Sequence, residues 1–205
     1  ILEANGSNGV RCWSCQVSTK QIRVFSPASI ANLGPGFDVF GIALDGIGDT
    51  LTVELVPDPG VKVIMGDEMA TLIPADPDKN SAGAVLQHVL DTYDSSEGFV
   101  VKIEKGVPPG KGMGSSGASA AGAAYASIQL LELELSASEA VRLAAQGEAA
   151  VAGSPHADNV SASLLGGFVM VGAEYDVVRL EPPMFDIVVV VPDVHYENKT
   201  RLARS

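Results

Sequence analysis

The residues best suited to chemistry lie in a glycine-rich stretch near the middle of the chain. Gly110, Gly112 and Gly114 alternate with other residues, and two serines and a run of small residues follow them. Because glycine has no side chain, consecutive backbone N–H groups can converge there on an anion. The small-residue run is typical of a helix, whose first N–H groups have no partner within the helix. Residues 99–104 alternate in hydrophobicity like a strand. The order strand, glycine loop and helix indicates a phosphate-binding site.

Three other interpretations of this loop are possible from the residues alone. Residues 112–117 match the G-x-G-x-x-G dinucleotide pattern, but that fold needs a second parallel strand after the helix. Here residues 131–135 lead instead into another helix start. A Walker A loop would need Ser or Thr directly after Lys111, where the chain has Gly112. A simple tight turn would not require three alternating glycines, two serines and a helix start together.

The elements that would position the loop mix strand-like and helix-like patterns, which predicts a fold with both α and β structure. Ser136 and Glu139 form a capping box that begins a helix, and Gly153 is the residue type that ends one. Residues 32–38 are rich in turn formers. Strands are predicted at residues 21–25, 50–56, 61–65, 99–104, 168–171, 177–180 and 186–191. Helices are predicted at residues 81–93, from the glycine loop to about residue 131, and from the capping box to residue 152.

Length and composition limit the classes of protein that the chain can represent. Its 205 residues, 46% of them hydrophobic, suffice for one domain or for one and part of a second. The net charge of −12 argues against nucleic acid or an anionic membrane as a partner. No apolar run has the length of a membrane helix, and residues 1–20 lack a signal-peptide pattern, so a cytoplasmic protein is predicted. Cys12 and Cys15 provide too few ligands for zinc and are interpreted as unrelated cysteines.

Four motifs occur in the order found in a known kinase superfamily. They are Ser-Ile-Ala-Asn-Leu-Gly-Pro-Gly-Phe-Asp at residues 29–38, Asp-Pro-Asp-Lys-Asn at 76–80, Pro-x-x-x-Gly-Met-Gly-Ser-Ser at 108–116 and Gly-Ser-Pro-His-Ala-Asp-Asn-Val at 153–160. The chain resembles the GHMP kinases, and among them the homoserine kinases. The resemblance implies a two-layer α+β GHMP kinase fold. Residues 1–20 would be an extension outside the fold, 21–164 the nucleotide-binding N-terminal domain, and 165–205 the incomplete beginning of a C-terminal domain, so that the chain looks truncated.

The resemblance also implies transfer of the γ-phosphate of ATP to the side-chain hydroxyl of L-homoserine, a step toward threonine. Ser116 and Glu148 would bind Mg²⁺, and Asn80 would contact the adenine ring. Without the resemblance, Glu148 is interpreted as a solvated helix residue and Asn80 as a helix N-cap. The ATP phosphates would lie on the loop formed by Pro108, Pro109, Gly110, Lys111, Gly112, Met113, Gly114, Ser115, Ser116, Gly117, Ala118 and Ser119.

For the amino-acid substrate, the resemblance assigns Asp38 to the ammonium group and Arg204 to the carboxylate. Arg201 could bind the carboxylate instead of Arg204, or Arg204 could be a solvated terminal arginine without a role in binding. Asn32 and His156 would help to bind homoserine, although Asn32 and Asp38 are also typical of turns closed by their own side chains. Asn159 would lie near the reacting hydroxyl, so that the catalytic set is Asn159, Glu148 and Ser116.

An asparagine takes up no proton at neutral pH, so this site would work without a strong protein base, and the proton could pass to the phosphate. Two alternatives remain from these residues. One is another GHMP kinase of the mevalonate type, and the other is a catalytically silent GHMP-fold module that binds a ligand. The predicted partner is a small molecule, not nucleic acid or a membrane, and the family resemblance also allows a homodimer.

Overall fold

Seven strands form one mixed sheet in the described part of the chain. The computed structural model describes residues 9–14, 20–66, 72–153, 156–181 and 186–190, without the side chains of residues 150 and 152. The strands are β1 (Arg11–Ser14), β2 (Gln21–Leu33), β3 (Gly36–Val56), β4 (Gly60–Met65), β5 (Gly98–Glu104), β6 (Phe168–Val171) and β7 (Val177–Leu180). The helices are α1 (Ser81–Thr92), α2 (Ser115–Leu130), α3 (Ala137–Ala152) and α4 (Ala157–Leu165).

A long hairpin of β2 and β3 organises the sheet. The two strands pair antiparallel from Gln21 opposite Glu54 to Leu33 opposite Gly36, with two irregularities on the way. The second half of β3 pairs with β5, and its first half pairs with β6, which continues to β7. β4 and β5 are parallel, and α1 lies between them in the chain, as a parallel crossover requires. The hairpin turn and the end of β5 therefore belong to one sheet.

The helices form a second layer whose apolar faces share a core with the sheet. Leu51 and Val53 of β3, Phe99 of β5 and Val85 of α1 are fully buried in that core. In α2, every residue from position 117 to 128 is buried. A Cβ added at Gly122 would lie 2.8 Å from the Leu51 side chain. Small residues therefore let α2 pack close to the sheet, while other helices cover the side of α2 that faces away from the sheet.

Most predicted elements are confirmed. The strands at residues 61–65 and 99–104 and the helix at 81–93 are found within a residue of their predicted bounds. The capping box forms both of its hydrogen bonds, and Gly153 ends α3 at a φ of 76°. β2 and β3 are much longer than predicted, because pairing with each other holds Pro27 and several glycines in the sheet despite low strand propensity. α4 was missed, and the strand predicted at residues 186–191 is wrong within the described residues 186–190.

The expected domain boundaries differ from the structure at the N-terminal end. Residues 1–20 were expected outside the fold, yet β1 pairs with β2, with Cys12 opposite Val24. Val10 is 6% exposed and belongs to the core, so the expectation is wrong for residues 9–14. Cys12 is disulfide-bonded, so its interpretation as an unrelated cysteine is also wrong; Cys15 lies outside the described residues. Because β6 pairs with β3, no break in the sheet marks the expected boundary at residue 165.

Candidate active site

A cleft of about 370 Å³ opens where the hairpin turn, the glycine loop and the beginnings of α1 and α4 meet. It brings together most of the residues that the sequence singled out. The predicted residues that line it are Asn32, Asn80, Pro109, Gly110, Gly112, Gly114, Ser115, Ser116, Ser119, His156 and Asn159. Pro108, Lys111, Met113, Gly117 and Ala118 belong to the same loop and helix start but do not line the cleft, and neither do Asp38 and Glu148.

The glycine loop has a backbone that only glycine adopts readily. Gly110, Gly112 and Gly114 have φ values of 67°, 78° and 63°, all in the left-handed region. Two apolar side chains, Val107 and Met113, anchor the loop from below by packing into a small separate core. After the loop the chain continues from α2 into α3, and no second parallel strand follows within the described residues. That order excludes the dinucleotide interpretation of the G-x-G-x-x-G match.

The beginning of α2 presents unpaired N–H groups to this cleft. Gly114 is the N-cap residue, and no side chain caps the helix there. The first hydrogen bond of the helix runs from Ala118 N–H to the Gly114 carbonyl at 2.8 Å. The N–H groups of residues 115–117 therefore remain available at a helix N-terminus, where the macrodipole favours an anion. This geometry suits a phosphate group.

Asn159 is held against the loop by Ser29, a buried residue that the sequence analysis did not assign. The Ser29 hydroxyl donates to Asn159 Oδ1 at 3.0 Å, and Ser29 N–H donates to the Met113 carbonyl at 3.1 Å. A Cβ added at Gly114 would come within 2.2 Å of Ser29 Oγ and 2.7 Å of Asn159 Oδ1. The loop, β2 and α4 therefore meet at one point, and the orientation of the Asn159 amide depends on all three.

Glu148 of α3 is fully buried, so its interpretation as a solvated helix residue is wrong. Glu148 Oε2 accepts a hydrogen bond from His156 N–H at 3.2 Å, and Oε1 lies 3.5 Å from His156 Nδ1. Among the described residues, Glu148 Oε1 has no hydrogen-bond partner. A buried carboxylate oxygen without a hydrogen bond and the exposed Ser116 hydroxyl are both hard oxygen donors, as Mg²⁺ prefers. Both donors suit magnesium by their chemistry, while binding of the ion by Ser116 and Glu148 stays a prediction.

Asn80 caps α1, as the interpretation from the residues alone predicted. Its Oδ1 accepts from the N–H groups of Ala82 at 3.1 Å and Gly83 at 3.3 Å, and its Nδ2 donates to the Pro74 carbonyl at 2.9 Å. Asn80 also lines the cleft, next to the apolar side chains of Met65 and Ile73. The cap role is therefore shown, while the adenine contact stays a prediction.

Asn32 and Asp38 close the hairpin turn. Asp38 N–H donates to Asn32 Oδ1 at 2.9 Å, and both residues have φ values near 57°, in the left-handed region. The turn-stabilising interpretation of the pair is thus confirmed, and Asn32 also lines the cleft. Binding of an ammonium group by Asp38 stays a prediction. Arg201 and Arg204 lie outside the described residues.

Asp158 is a buried acid beside Asn159. Burial raises the pKa of its carboxyl, and the charge of Asp38 raises it further, against the lowering effects of the Asn159 backbone N–H and of His156. Asp158 Oδ1 accepts from Asn159 N–H at 2.8 Å. Its side chain thus supports the first turn of α4.

We expect Asp158→Asn to raise the melting temperature at neutral pH. Because the folded pKa lies above the unfolded value of 3.8, ionisation opposes folding, so the stability of the wild type falls as pH rises through the folded pKa. The gain should disappear near pH 3.8 and below. Thermal unfolding followed at a series of pH values checks this. Asp76→Asn should show the opposite sign, because a hydrogen bond from Lys79 lowers the Asp76 pKa. A destabilised Asp158→Asn protein at neutral pH would contradict the prediction.

Two charged residues beneath the loop were missed by the sequence analysis. Lys105 follows β5 directly and lines the cleft, and it forms a buried ion pair with Asp49 of β3. Asp49 is 56 residues away in the sequence and belongs to no motif. Lys105 could have been noticed as a lysine between a strand and a glycine loop, whereas nothing local marks Asp49.

Comparison with known proteins places these features in a family. The family model of the GHMP kinases N terminal domain matches residues 80–167. Homoserine kinase from Methanopyrus kandleri is 49% identical over 160 residues, which cover 78% of this chain and 51% of that protein. Homoserine kinase from Methanococcus vannielii is 39% identical over 182 residues, which cover 88% and 60%. The crystal structure of homoserine kinase from Cytophaga hutchinsonii has a TM-score of 0.80 at 32% identity and covers 93% of this chain and 61% of that one.

The chain spans 51% to 60% of the length of these two curated relatives. No helix in the part of the chain that the structure describes is long and apolar enough to span a bilayer. The region matched by the family model contains α1, β5, the glycine loop and the helices α2, α3 and α4. With the superposition on a homoserine kinase over 93% of the chain, this shows that the chain contains a GHMP kinase N-terminal domain.

Proposed function

We propose that the protein containing this chain transfers the γ-phosphate of ATP to the side-chain hydroxyl of L-homoserine. The observation that carries the proposal is the convergence of the glycine loop, the α2 N-terminus and Asn159 on one cleft. Relatives at 39% and 49% identity are homoserine kinases, which supports this acceptor over mevalonate. Phosphoryl transfer needs positioning and charge neutralisation more than covalent help from the protein, and the loop backbone and the α2 N-terminus would contribute to both.

The nucleotide would bind with its phosphates against the loop and the N–H groups at the start of α2. The left-handed glycines keep side chains away from that surface. The adenine ring would lie toward Asn80 and the apolar wall formed by Met65 and Ile73. Magnesium would be held by Ser116 and Glu148, and when bound it would neutralise negative charge on the phosphates.

The amino-acid substrate would lie near the hairpin turn and the start of α4. Its ammonium group would face Asp38, with Asn32 and His156 beside it and Arg204 at its carboxylate. Asn159, whose Oδ1 accepts from Ser29, would orient the hydroxyl through its amide. The new bond forms between that hydroxyl oxygen and the γ-phosphorus, the bond to the bridging oxygen of ADP breaks, and the hydroxyl proton passes to a phosphoryl oxygen. Because the phosphoryl oxygen takes the proton, this step uses no protein base, and Asn159 could not act as one.

The test is ADP release by the protein expressed from the complete gene, with Mg²⁺ and with L-homoserine, L-serine or mevalonate as acceptor. Turnover with L-homoserine and a phosphate monoester in the ³¹P NMR spectrum of the product would support the proposal. Turnover with mevalonate alone would instead indicate a GHMP kinase of the mevalonate type. Binding of ATP without phosphorylation of any of the three would indicate a silent ligand-binding module.

A further inference from the structure

A buried ion pair lies directly beneath the phosphate-binding loop. Asp49 is on β3 and Lys105 follows the end of β5, and their side chains are 0% and 1% exposed. The Lys105 ammonium group donates to Asp49 Oδ2. Removing two charges from water carries a large desolvation penalty, so such a pair by itself is weak grounds for stability. Its contacts suggest a different role.

The Asp49 carboxylate holds the beginning of the loop by its backbone. Oδ1 accepts from Gly106 N–H at 3.2 Å and from Val107 N–H at 3.1 Å. The segment after β5 runs close to β3 here, since a Cβ at Gly106 would lie 2.0 Å from the Gly48 carbonyl oxygen. The position of the first loop residues is therefore set by a side chain from a neighbouring strand.

The same pair holds the end of the loop. Lys105 Nζ donates to the Ser115 carbonyl and to Ser119 Oγ, both at 3.0 Å. Ser119 Oγ in turn donates to Asp49 Oδ2 at 2.9 Å. The three N–H groups of the ammonium thus have three protein acceptors. All three N–H groups of Lys105 donate hydrogen bonds to protein acceptors near the first turn of α2. This assigns Lys105 to support of the loop rather than to direct contact with phosphate.

We propose that Asp49 and Lys105 are positioning residues that hold both ends of the loop in its anion-binding conformation before a nucleotide arrives. The proposal rests on the proposed nucleotide site but not on its acceptor. In particular, the acceptor oxygen of Asp49 at the N–H groups of Gly106 and Val107 fixes the loop, while the charges of the pair offset each other.

Two double variants distinguish the effect of losing the Asp49 acceptor oxygen from the effect of losing the charges of Asp49 and Lys105. Asp49→Asn/Lys105→Met removes both charges but keeps an amide oxygen for the two N–H groups, whereas Asp49→Leu/Lys105→Met removes the acceptor as well. We expect the Leu/Met protein to bind ADP at least about tenfold more weakly than wild type, since both ends of the loop lose their partners. The Asn/Met protein should have an intermediate affinity, since only the Lys105 contacts with Ser115 and Ser119 are lost. Asp49→Ala/Lys105→Met replaces the Leu variant if that protein does not fold. Glu104→Gln, beside Lys105 but exposed, is the control and should bind like wild type.

The measurements are calorimetric titration with ADP, the KM for ATP against that for L-homoserine, and hydrogen exchange without nucleotide. The Leu/Met variant should raise only the KM for ATP. The amides of Ser29 and Ala118, which donate to the loop carbonyls of Met113 and Gly114, should exchange at least about tenfold faster while the central amides of β3 stay protected. A Leu/Met protein with wild-type ADP affinity and loop exchange would overturn the proposal. A wild-type protein that does not bind ADP would contradict the proposed function instead, and the exchange experiment would still decide the positioning role.

Discussion

Gly114→Ala is expected to weaken nucleotide binding by at least about tenfold and to lower stability. The residue has a φ of 63°, where an L side chain costs about 1–2 kcal/mol. The new Cβ would also come within 2.2 Å of Ser29 Oγ and 2.7 Å of Asn159 Oδ1, and overpacking of this kind costs about 1–3 kcal/mol. Relief of the clash would move the loop, Ser29 or Asn159, all of which adjoin the site. Calorimetric titration with ADP and urea unfolding measure the two effects.

Gly110→Ala is the matched control for this substitution. Its φ of 67° imposes similar backbone strain, but a Cβ there has no neighbouring atom within 4 Å. Its free energy of unfolding should therefore fall by the backbone strain alone, about 1–2 kcal/mol. Its ADP affinity should fall less than that of Gly114→Ala. Equal loss of affinity in the two variants would show that contact of Gly114 with Ser29 and Asn159 is unimportant.

Glu148→Gln is expected to lower kcat by about 100-fold or more while leaving the free energy of unfolding equal to or above that of wild type. The activity loss follows from removal of an anionic ligand of magnesium. The bound ion would supply several kcal/mol of transition-state stabilisation. The stability follows from burial, because the Glu148 carboxylate is fully buried and its Oε1 accepts no hydrogen bond from any residue that the structure describes. The amide oxygen of Gln can still accept from His156 N–H. Steady-state kinetics across Mg²⁺ concentrations and urea unfolding check both parts.

Glu139→Gln tests the same chemical change on the same helix, far from the cleft. Glu139 is the exposed member of the α3 capping box and accepts from Ser136 N–H at 2.8 Å. Its replacement should leave kcat unchanged and lower stability slightly, because the carboxylate also favours the helix N-terminus. If Glu148→Gln kept wild-type kcat and Mg²⁺ dependence, the assignment of Glu148 to magnesium would be wrong.

The pattern of the sequence predicted much of the fold where local chemistry decides structure. The capping box at Ser136, the left-handed end of α3 at Gly153 and the helix after the glycine loop are all found. These features depend on neighbouring residues, so spacing alone reveals them. The full length of the β2–β3 hairpin and the pairing of β1 with β2 were not predicted. They arise from pairing between distant segments, which single-strand patterns do not encode.

The features of the candidate site also fall into those that the sequence predicted and those that only the structure shows. The sequence by itself determined which residues form the glycine loop and the helix start that follows it, because three glycines at alternate positions before a run of small residues are a local pattern. Only the tertiary structure decided that Glu148 is buried behind His156, that Ser29 holds the Asn159 amide, and that Asp49 lies beneath the loop. These three depend on contacts across 8, 130 and 58 residues of sequence. The physical reason is that burial and hydrogen-bond partners are properties of packed layers, and packing brings together residues that no local pattern connects.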